Sequence, residues 1–200
     1  VTTALHGVSF LSSFVLNQVL ILQPLEQIIA LALFYYWPAW FQSVKGASPV
    51  ESAVDFFTVA FIVAPFAMVA GGAIAATQRY YIPNVAAWVL VTLGPGLLSL
   101  VNVNSSRSAY LGLPIPYAMG VGLLFSATVF VVLAPLPPSL AGHALSFLVF
   151  VRNLGSLIGI VIGSVVLNNE LGTRLPEEFL AMVPGGLTGA YSAIPLIATL

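Results

Sequence analysis

Charged side chains are scarce in this sequence. They make up 6% of its 200 residues, whereas hydrophobic residues make up 60%, and the mean hydropathy is +1.06. A soluble domain carries about 25% charged residues, so this composition cannot cover a surface in water. The net charge of −1 also leaves no basic footprint for a nucleic acid. The composition therefore predicts an integral membrane protein whose first partner is the lipid bilayer.

Cysteine is absent, which excludes disulfides and thiol chemistry. The two histidines, His6 and His143, have no Cys, Asp or Glu at metal-ligand spacing, so the sequence indicates no metal site. It also contains no phosphate-binding loop, no HExxH pattern and no Ser/His/Asp arrangement. We expect no cofactor and no enzyme activity.

Long apolar runs fill most of the chain, and they are continuous rather than alternating, which favours helices over the strands of a β-barrel. Spans of about 20 residues allow five or six crossings. We predict an all-α polytopic membrane bundle over residues 1–171, with about five spans, and a polar loop over residues 172–200. The predicted spans are residues 24–42 with 1–7 upstream, 53–76, 85–103, 111–133 and 147–167; residues 8–23 are an extra span or an inserted segment.

The span at residues 147–167 combines a charge with a regular glycine pattern. Gly155, Gly159 and Gly163 are spaced by four and share one helical face with Arg152. Small residues on one face are typical of helix packing in membranes. An ionisable residue inside a span costs at least ~2.5 kcal/mol, so Arg152 has two interpretations. It is a transport or substrate-contact residue, or a structural anchor near one end of the span.

Two carboxylates are further candidates for coupling, because a proton-coupled carrier needs a group that titrates between two states. Asp55 lies near the start of its span, where a solvated carboxylate at the positive end of the helix dipole is the alternative. Glu26 lies deep in the membrane if the first region is a single span. Asn104 begins the glycosylation pattern Asn-Ser-Ser, for which chance occurrence is the alternative.

Several short motifs resemble one family, the fungal multidrug transporters of the major facilitator superfamily, in the fourteen-span drug:proton antiporter branch. The resemblance covers most of the chain, and it rests on the combination of motifs rather than on any one of them. The matching positions are His6-Gly7, Tyr35-Tyr36 with Pro38 and Phe41-Gln42, Lys45-Gly46 with Ser48-Pro49, Gly71-Gly72 with Arg79-Tyr80, Ala134-Pro135-Leu136-Pro137, Phe150-Val151-Arg152 with Gly155, Asn169-Glu170-Leu171, and Arg174-Leu175-Pro176.

The resemblance implies five consecutive spans from the C-terminal half of a carrier that exports drugs or other small apolar compounds in exchange for protons, by alternating access. The N-terminal half of the same transporter and the last span are then missing. It implies a plasma-membrane location, with the vacuolar membrane as the alternative. A non-transporting scaffold or accessory fragment and an inactive truncated gene product are the alternative functions.

The resemblance also implies an orientation. Gly71, Gly72 and Arg79 mark a short cytoplasmic turn, and Lys45, Arg107 and the tail lie outside. The count of Lys and Arg at span ends predicts the opposite, because Arg79 is alone on its side; we prefer the orientation from the motifs. The turn lacks the acidic residue of the superfamily's loop signature, which argues against a gating role for Arg79.

Residues 8–23 lengthen the first span beyond the length that the resemblance implies. They can be back-translated to begin with GTAAGT and end with CAG, as a short retained fungal intron does. Joining Gly7 to Pro24 restores a span of ordinary length. A transcript across this region tests the hypothesis.

Overall fold

The computed structural model describes residues 21–134 and 136–174, and within them it contains helices and no strand, which confirms the all-α fold class. The six α-helices are α1 (Gln23–Lys45), α2 (Pro49–Thr77), α3 (Tyr81–Leu98), α4 (Arg107–Gly112), α5 (Ile115–Leu133) and α6 (Ala141–Arg174), with a 3-10 turn at Pro138–Leu140 before α6. The predictions for residues 1–7 and for most of residues 8–23 and 172–200 lie outside the described residues.

Four stretches of the described chain are long and apolar enough to cross a membrane: Pro49–Thr77, Tyr81–Leu98, Arg107–Leu133 and Pro138–Glu170. They correspond to four of the predicted spans. The first predicted span corresponds to α1, which is not among the four. Helix α1 begins with a polar segment that contains Gln23, Glu26 and Gln27, and it ends with Gln42, Ser43 and Lys45; the residues between are mostly apolar and aromatic.

Local sequence signals set the helix boundaries. Ser48 and Glu51 form a reciprocal capping box at the start of α2, with Pro49 in the first turn. Gly46 ends α1 in the left-handed conformation at φ 64°, and Gln78 ends α2 in the same way at φ 55°. The structure corrects the placement of Gly71 and Gly72 in a turn. They lie inside α2, because the helix continues until Gln78 leaves the right-handed region.

Helix α5 packs between α2 and α3, and the closest contacts occur at glycines, which have no side chain. A Cβ at Gly122 would meet the carbonyl oxygen of Val63 on α2, and a Cβ at Gly120 would lie 2.8 Å from the Val91 nitrogen on α3. Gly94 of α3 faces the Tyr117 side chain of α5. Because only glycine leaves room there, the backbones of these three helices approach closely.

Helices α1 and α6 form a second pair, and they run parallel. Along their shared seam, Pro24 lies beside Gly155, Ile28 beside Gly159 and Tyr36 beside Gly163. The Tyr36 hydroxyl donates a hydrogen bond to the carbonyl of Ile160 at 3.2 Å. Val132 and Leu148 connect α5 to α6 in a small buried cluster.

The connections divide into two ends of the bundle. The Lys45 end contains the α1–α2 turn and the α3–α4 loop, which the Lys45 side chain joins directly. The Arg79 end contains the α2–α3 turn and the segment between α5 and α6.

Candidate functional site

The glycines predicted as a packing face lie against α1. A Cβ at Gly155 would come within 2.6 Å of the Pro24 carbonyl oxygen, and one at Gly159 within 2.6 Å of the Ile28 carbonyl oxygen. These neighbours are backbone atoms, so they cannot rotate away as a flexible side chain can. The seam between α1 and α6 therefore depends on the absence of side chains at these two positions.

A group of polar side chains occupies the same seam. We call Gln23, Glu26 and Gln27 of α1, together with Arg152 and Ser156 of α6, the seam cluster. Oε2 of Glu26 accepts hydrogen bonds from Nε2 of Gln27 at 2.8 Å and from Nε2 of Gln23 at 3.1 Å. Ser156 Oγ donates to Oε1 of Gln27 at 3.2 Å, which connects the two helices. Gln23 and Glu26 are 1% and 2% exposed.

Arg152 lies 14 residues after Pro138 and 18 before Glu170, the two ends of the apolar stretch that contains it. The sequence predicted a helix from residue 147, which would place Arg152 near its end. Helix α6 in fact begins at Ala141, because the 3-10 turn at Pro138–Leu140 leads directly into it. The guanidinium lies over the Phe125 ring of α5, 5.0 Å from its centroid, and donates a hydrogen bond to the Phe125 carbonyl at 3.4 Å.

Glu26 and Arg152 attract each other electrostatically across the seam. The structure has no direct ion pair between them, although it describes both side chains. Arg152 Nε is buried and has no hydrogen-bond partner among the described residues, and neither has Gln23 Oε1. The seam cluster therefore brings together two opposite charges inside the bundle and leaves part of their hydrogen-bonding capacity unused.

Asp55 has a different environment. Its carboxylate forms an ion pair with Arg107 at 2.6 Å, and its side chain is 7% exposed, whereas that of Arg107 is 67% exposed. The pair joins α2 to α4 at the Lys45 end. Of the two predicted coupling carboxylates, Asp55 is therefore held by a cation in direct contact and Glu26 is not.

Lys45 lies at the same end, where its ammonium group contacts backbone carbonyls and aromatic rings. Its Nζ donates to the carbonyl oxygens of Val103 at 2.5 Å and Ser105 at 2.8 Å, and it lies 5.6 Å from the Trp40 ring centroid and 5.4 Å from that of Tyr110. We call Lys45, Asp55, Arg107 and the two carbonyls the end clasp. No local pattern in the sequence predicts these contacts, because their partners lie 52 to 60 residues apart along the chain.

A small cavity with apolar walls lies among α1, α2, α3 and α5. Its wall contains two of the aromatic residues that α1 carries, Phe34 and Trp37, and the buried Tyr117 of α5. The Tyr117 hydroxyl is buried and has no hydrogen-bond partner among the described residues. The other lining residues are Leu33, Phe56, Val59, Leu98 and Pro114.

The remaining predicted residues lie apart from the seam. Arg79 is exposed in the α2–α3 connection, and Asn104 is exposed in the α3–α4 loop between the two residues whose carbonyls bind Lys45. No group of three metal-ligating side chains occurs among the described residues. Two of the other seam residues, Gln23 and Gln27, belong to the polar run Gln-Pro-Leu-Glu-Gln, which interrupts an apolar stretch of the sequence. Ser156 is predicted by helical periodicity to share the face of Arg152 and the glycines.

Apolar helices that enclose a buried polar site define this chain as an integral membrane protein of the helix-bundle class. The chain is 37% identical over 148 residues to MFS transporter L2 of a Phoma species, an alignment that covers 74% of this chain and 25% of the relative. It is 33% identical over 161 residues to efflux pump FUS6 of Gibberella moniliformis, covering 80% and 29%. It is 32% identical over 187 residues to the MFS-type transporter pydD of an Acremonium species, covering 91% and 33%.

The chain belongs to the major facilitator superfamily and is related to its fungal efflux pumps. It spans about a quarter to a third of the length of these curated relatives. No protein-family model and no solved structure matches it.

Proposed function

We propose that the chain forms most of the C-terminal half of a carrier that exports drugs or other small apolar compounds from a fungal cell in exchange for protons. The N-terminal half completes the transporter, and the plasma membrane is its location. The relatives named as transporters and efflux pumps support the general class. The choice of protons as the driving ion rests on the seam cluster.

The observation that carries the proposal is the environment of Glu26. Its carboxyl group is buried at a helix seam, surrounded by two amides, with a cation nearby but not in contact. Burial disfavours the charged form of a carboxyl group, whereas amide donors and a nearby cation favour it. Opposing influences of this kind suit a group that exchanges a proton when its access to water changes.

Asp55 is less suited to that role, because its carboxylate is already held in direct contact by the Arg107 guanidinium. The Phe, Trp and Tyr rings that line the small cavity among α1, α2, α3 and α5 have the chemistry against which flat apolar molecules pack. In alternating access the two halves of a carrier rock around a central site. Helix α1 carries both residues of the cavity wall and Glu26, so in this proposal it contributes to the substrate site and to proton exchange.

The test is efflux of rhodamine 6G from yeast cells that express the complete transporter, with cells carrying an empty vector as the control. We expect a protonophore to abolish the additional efflux, because it removes the proton gradient that drives exchange. Valinomycin, which dissipates the potassium-dependent membrane potential but not the pH gradient, should reduce efflux less. Efflux that continues unchanged in the protonophore contradicts proton coupling.

A further inference from the structure

We propose that the Lys45 end contains a binding site for a primary ammonium group, and that the chain fills this site with the ammonium of its own Lys45. The ammonium site consists of four groups, which are the backbone carbonyls of Val103 and Ser105 and the aromatic rings of Trp40 and Tyr110. The bound ammonium fastens the end of α1 to the α3–α4 loop. The proposal goes beyond the transport function and does not depend on it.

The first step is the match between the contacts of the Lys45 Nζ and the chemistry of an ammonium. An ammonium has three N–H donors and no acceptor. Nζ donates to the carbonyl oxygens of Val103 at 2.5 Å and Ser105 at 2.8 Å. It also lies 5.6 Å from the Trp40 ring centroid and 5.4 Å from that of Tyr110, where ring faces attract a cation. The site therefore offers acceptors for the N–H groups and rings for the positive charge.

The second step is that the α3–α4 loop forms its part of the site by itself. The Ser105 amide donates to the Asn102 carbonyl at 2.9 Å, and the Asn102 amide donates to the Ser105 hydroxyl at 2.8 Å. These two hydrogen bonds close a turn over residues 102–105, which contains the two carbonyls that bind Nζ. Because the turn has its own hydrogen bonds, the carbonyls keep their directions when the lysine side chain is absent.

The third step is that the two rings are held by contacts with other rings. Tyr110 is 7% exposed, and its ring centroid lies 5.3 Å from that of Phe41 and 5.8 Å from that of Trp40. The Trp40 ring also stacks on that of Trp37, with 5.3 Å between centroids and 10° between planes. Aromatic pairs at these separations attract each other. The walls of the ammonium site are therefore fixed without the occupant.

The fourth step is that the occupant is exchangeable. Lys45 is the last residue of α1, before Gly46 turns the chain. Its ammonium is a compact charge on a flexible four-carbon stem, so it can leave the site while the backbone stays in place. A free ammonium compound has to compete with this tethered group, but it meets an empty site once the lysine is removed.

The test is chemical rescue of Lys45→Ala in the purified complete transporter, with the thermal unfolding midpoint in detergent as the measurement. The probe is n-propylammonium, which is the part of the lysine side chain that the substitution removes. Lys45→Met is the matched control variant, because its side chain fills the same space without a charge or an N–H donor. Tetramethylammonium chloride at the same concentration is the control compound, because it supplies the charge and the ionic strength without an N–H donor.

We expect both variants to lower the midpoint by about 3 °C, because each leaves the two carbonyls without their charged donor. In Lys45→Ala, n-propylammonium should restore at least about half of that loss, since a compound that binds only the folded state raises the midpoint. It should restore much less in Lys45→Met and change the wild type little, because a side chain fills the site in both. Tetramethylammonium should restore less than n-propylammonium.

A Lys45→Met variant as stable as the wild type, or an equal effect of n-propylammonium on all three proteins, overturns the proposal. Equal rescue by tetramethylammonium contradicts a site for a primary ammonium, because it shows that charge alone is recognised. If Lys45→Ala yields no folded protein, a double-mutant cycle between Lys45→Met and Trp40→Leu decides. Losses that are smaller together than their sum support the proposal, and additive losses contradict it.

Discussion

The seam cluster and the end clasp are both charged sites in an apolar bundle, but they differ in how completely their charges are paired. In the end clasp, Asp55 contacts Arg107 directly and Lys45 binds two carbonyl oxygens. In the seam cluster, Glu26 and Arg152 attract each other without contact, and buried polar atoms have no partner among the described residues. A paired site stabilises one arrangement, whereas an incompletely paired site can exist in two.

This difference separates the roles of the charges. The end clasp contains two connections: Lys45 joins α1 to the α3–α4 loop at Ser105, and Asp55 joins α2 to α4 at Arg107. Its cations are near the helix ends, where water can reach them, so its ionic contacts contribute modestly to stability. The seam cluster lies deeper, where changing one charge affects every neighbouring polar group.

We expect the largest effect on stability from a substitution that disrupts the contact between α1 and α6. Gly159→Val places a side chain against the backbone of Ile28, which has to move. Overpacking of this kind costs about 1–3 kcal/mol, and we expect the unfolding midpoint of the complete transporter in detergent to fall by about 5 °C. Rhodamine 6G efflux should fall with it, because the seam cluster loses its alignment.

Gly96→Val is the matched control for that variant. Gly96 also lies inside a helix, but a Cβ there meets nothing within 4 Å. The account expects the midpoint to change by less than about 2 °C and not to fall, because valine has a higher helix propensity than glycine and meets no neighbour there. Equal losses in the two variants mean that the seam has no special dependence on glycine.

A smaller effect is expected at the end clasp, and it should be asymmetric. Arg107→Gln leaves the buried Asp55 carboxylate without its cation, and we expect the unfolding midpoint to fall by about 3 °C. Asp55→Asn leaves Arg107 exposed to water, so its effect should be under about 1 °C. The same detergent assay checks both. A larger loss for Asp55→Asn than for Arg107→Gln shows that the pair is not organised around the buried carboxylate.

The sequence was sufficient for the fold class and for the family, because both depend on composition and on short local motifs. It also placed Gly155, Gly159 and Gly163 on one face with Arg152, since helical periodicity determines that arrangement. The helix that this face contacts could not be predicted. Pro24 and Ile28 are more than 120 residues away along the chain, and only the packing of the whole bundle brings them to the seam.

The differences between prediction and structure concern helix boundaries and partners. Membrane helices tolerate glycine, so Gly71 and Gly72 did not end α2, and the helix that contains Arg152 began earlier than its apolar run. The partners of Asp55 and Lys45 lie 52 to 60 residues away in sequence. No local pattern shows which of two carboxylates obtains a cation in direct contact, and that distinction carries the proposed mechanism.

The most direct test of the central claim compares Glu26→Gln with Asp55→Asn in proteoliposomes that contain the purified complete transporter. Rhodamine 6G movement is followed after an imposed pH gradient and again without a gradient. The account predicts that Glu26→Gln removes the stimulation by the gradient while Asp55→Asn retains most of it, because only Glu26 exchanges its proton during transport. Stimulation that survives in Glu26→Gln and disappears in Asp55→Asn contradicts the assignment of proton coupling to the seam cluster.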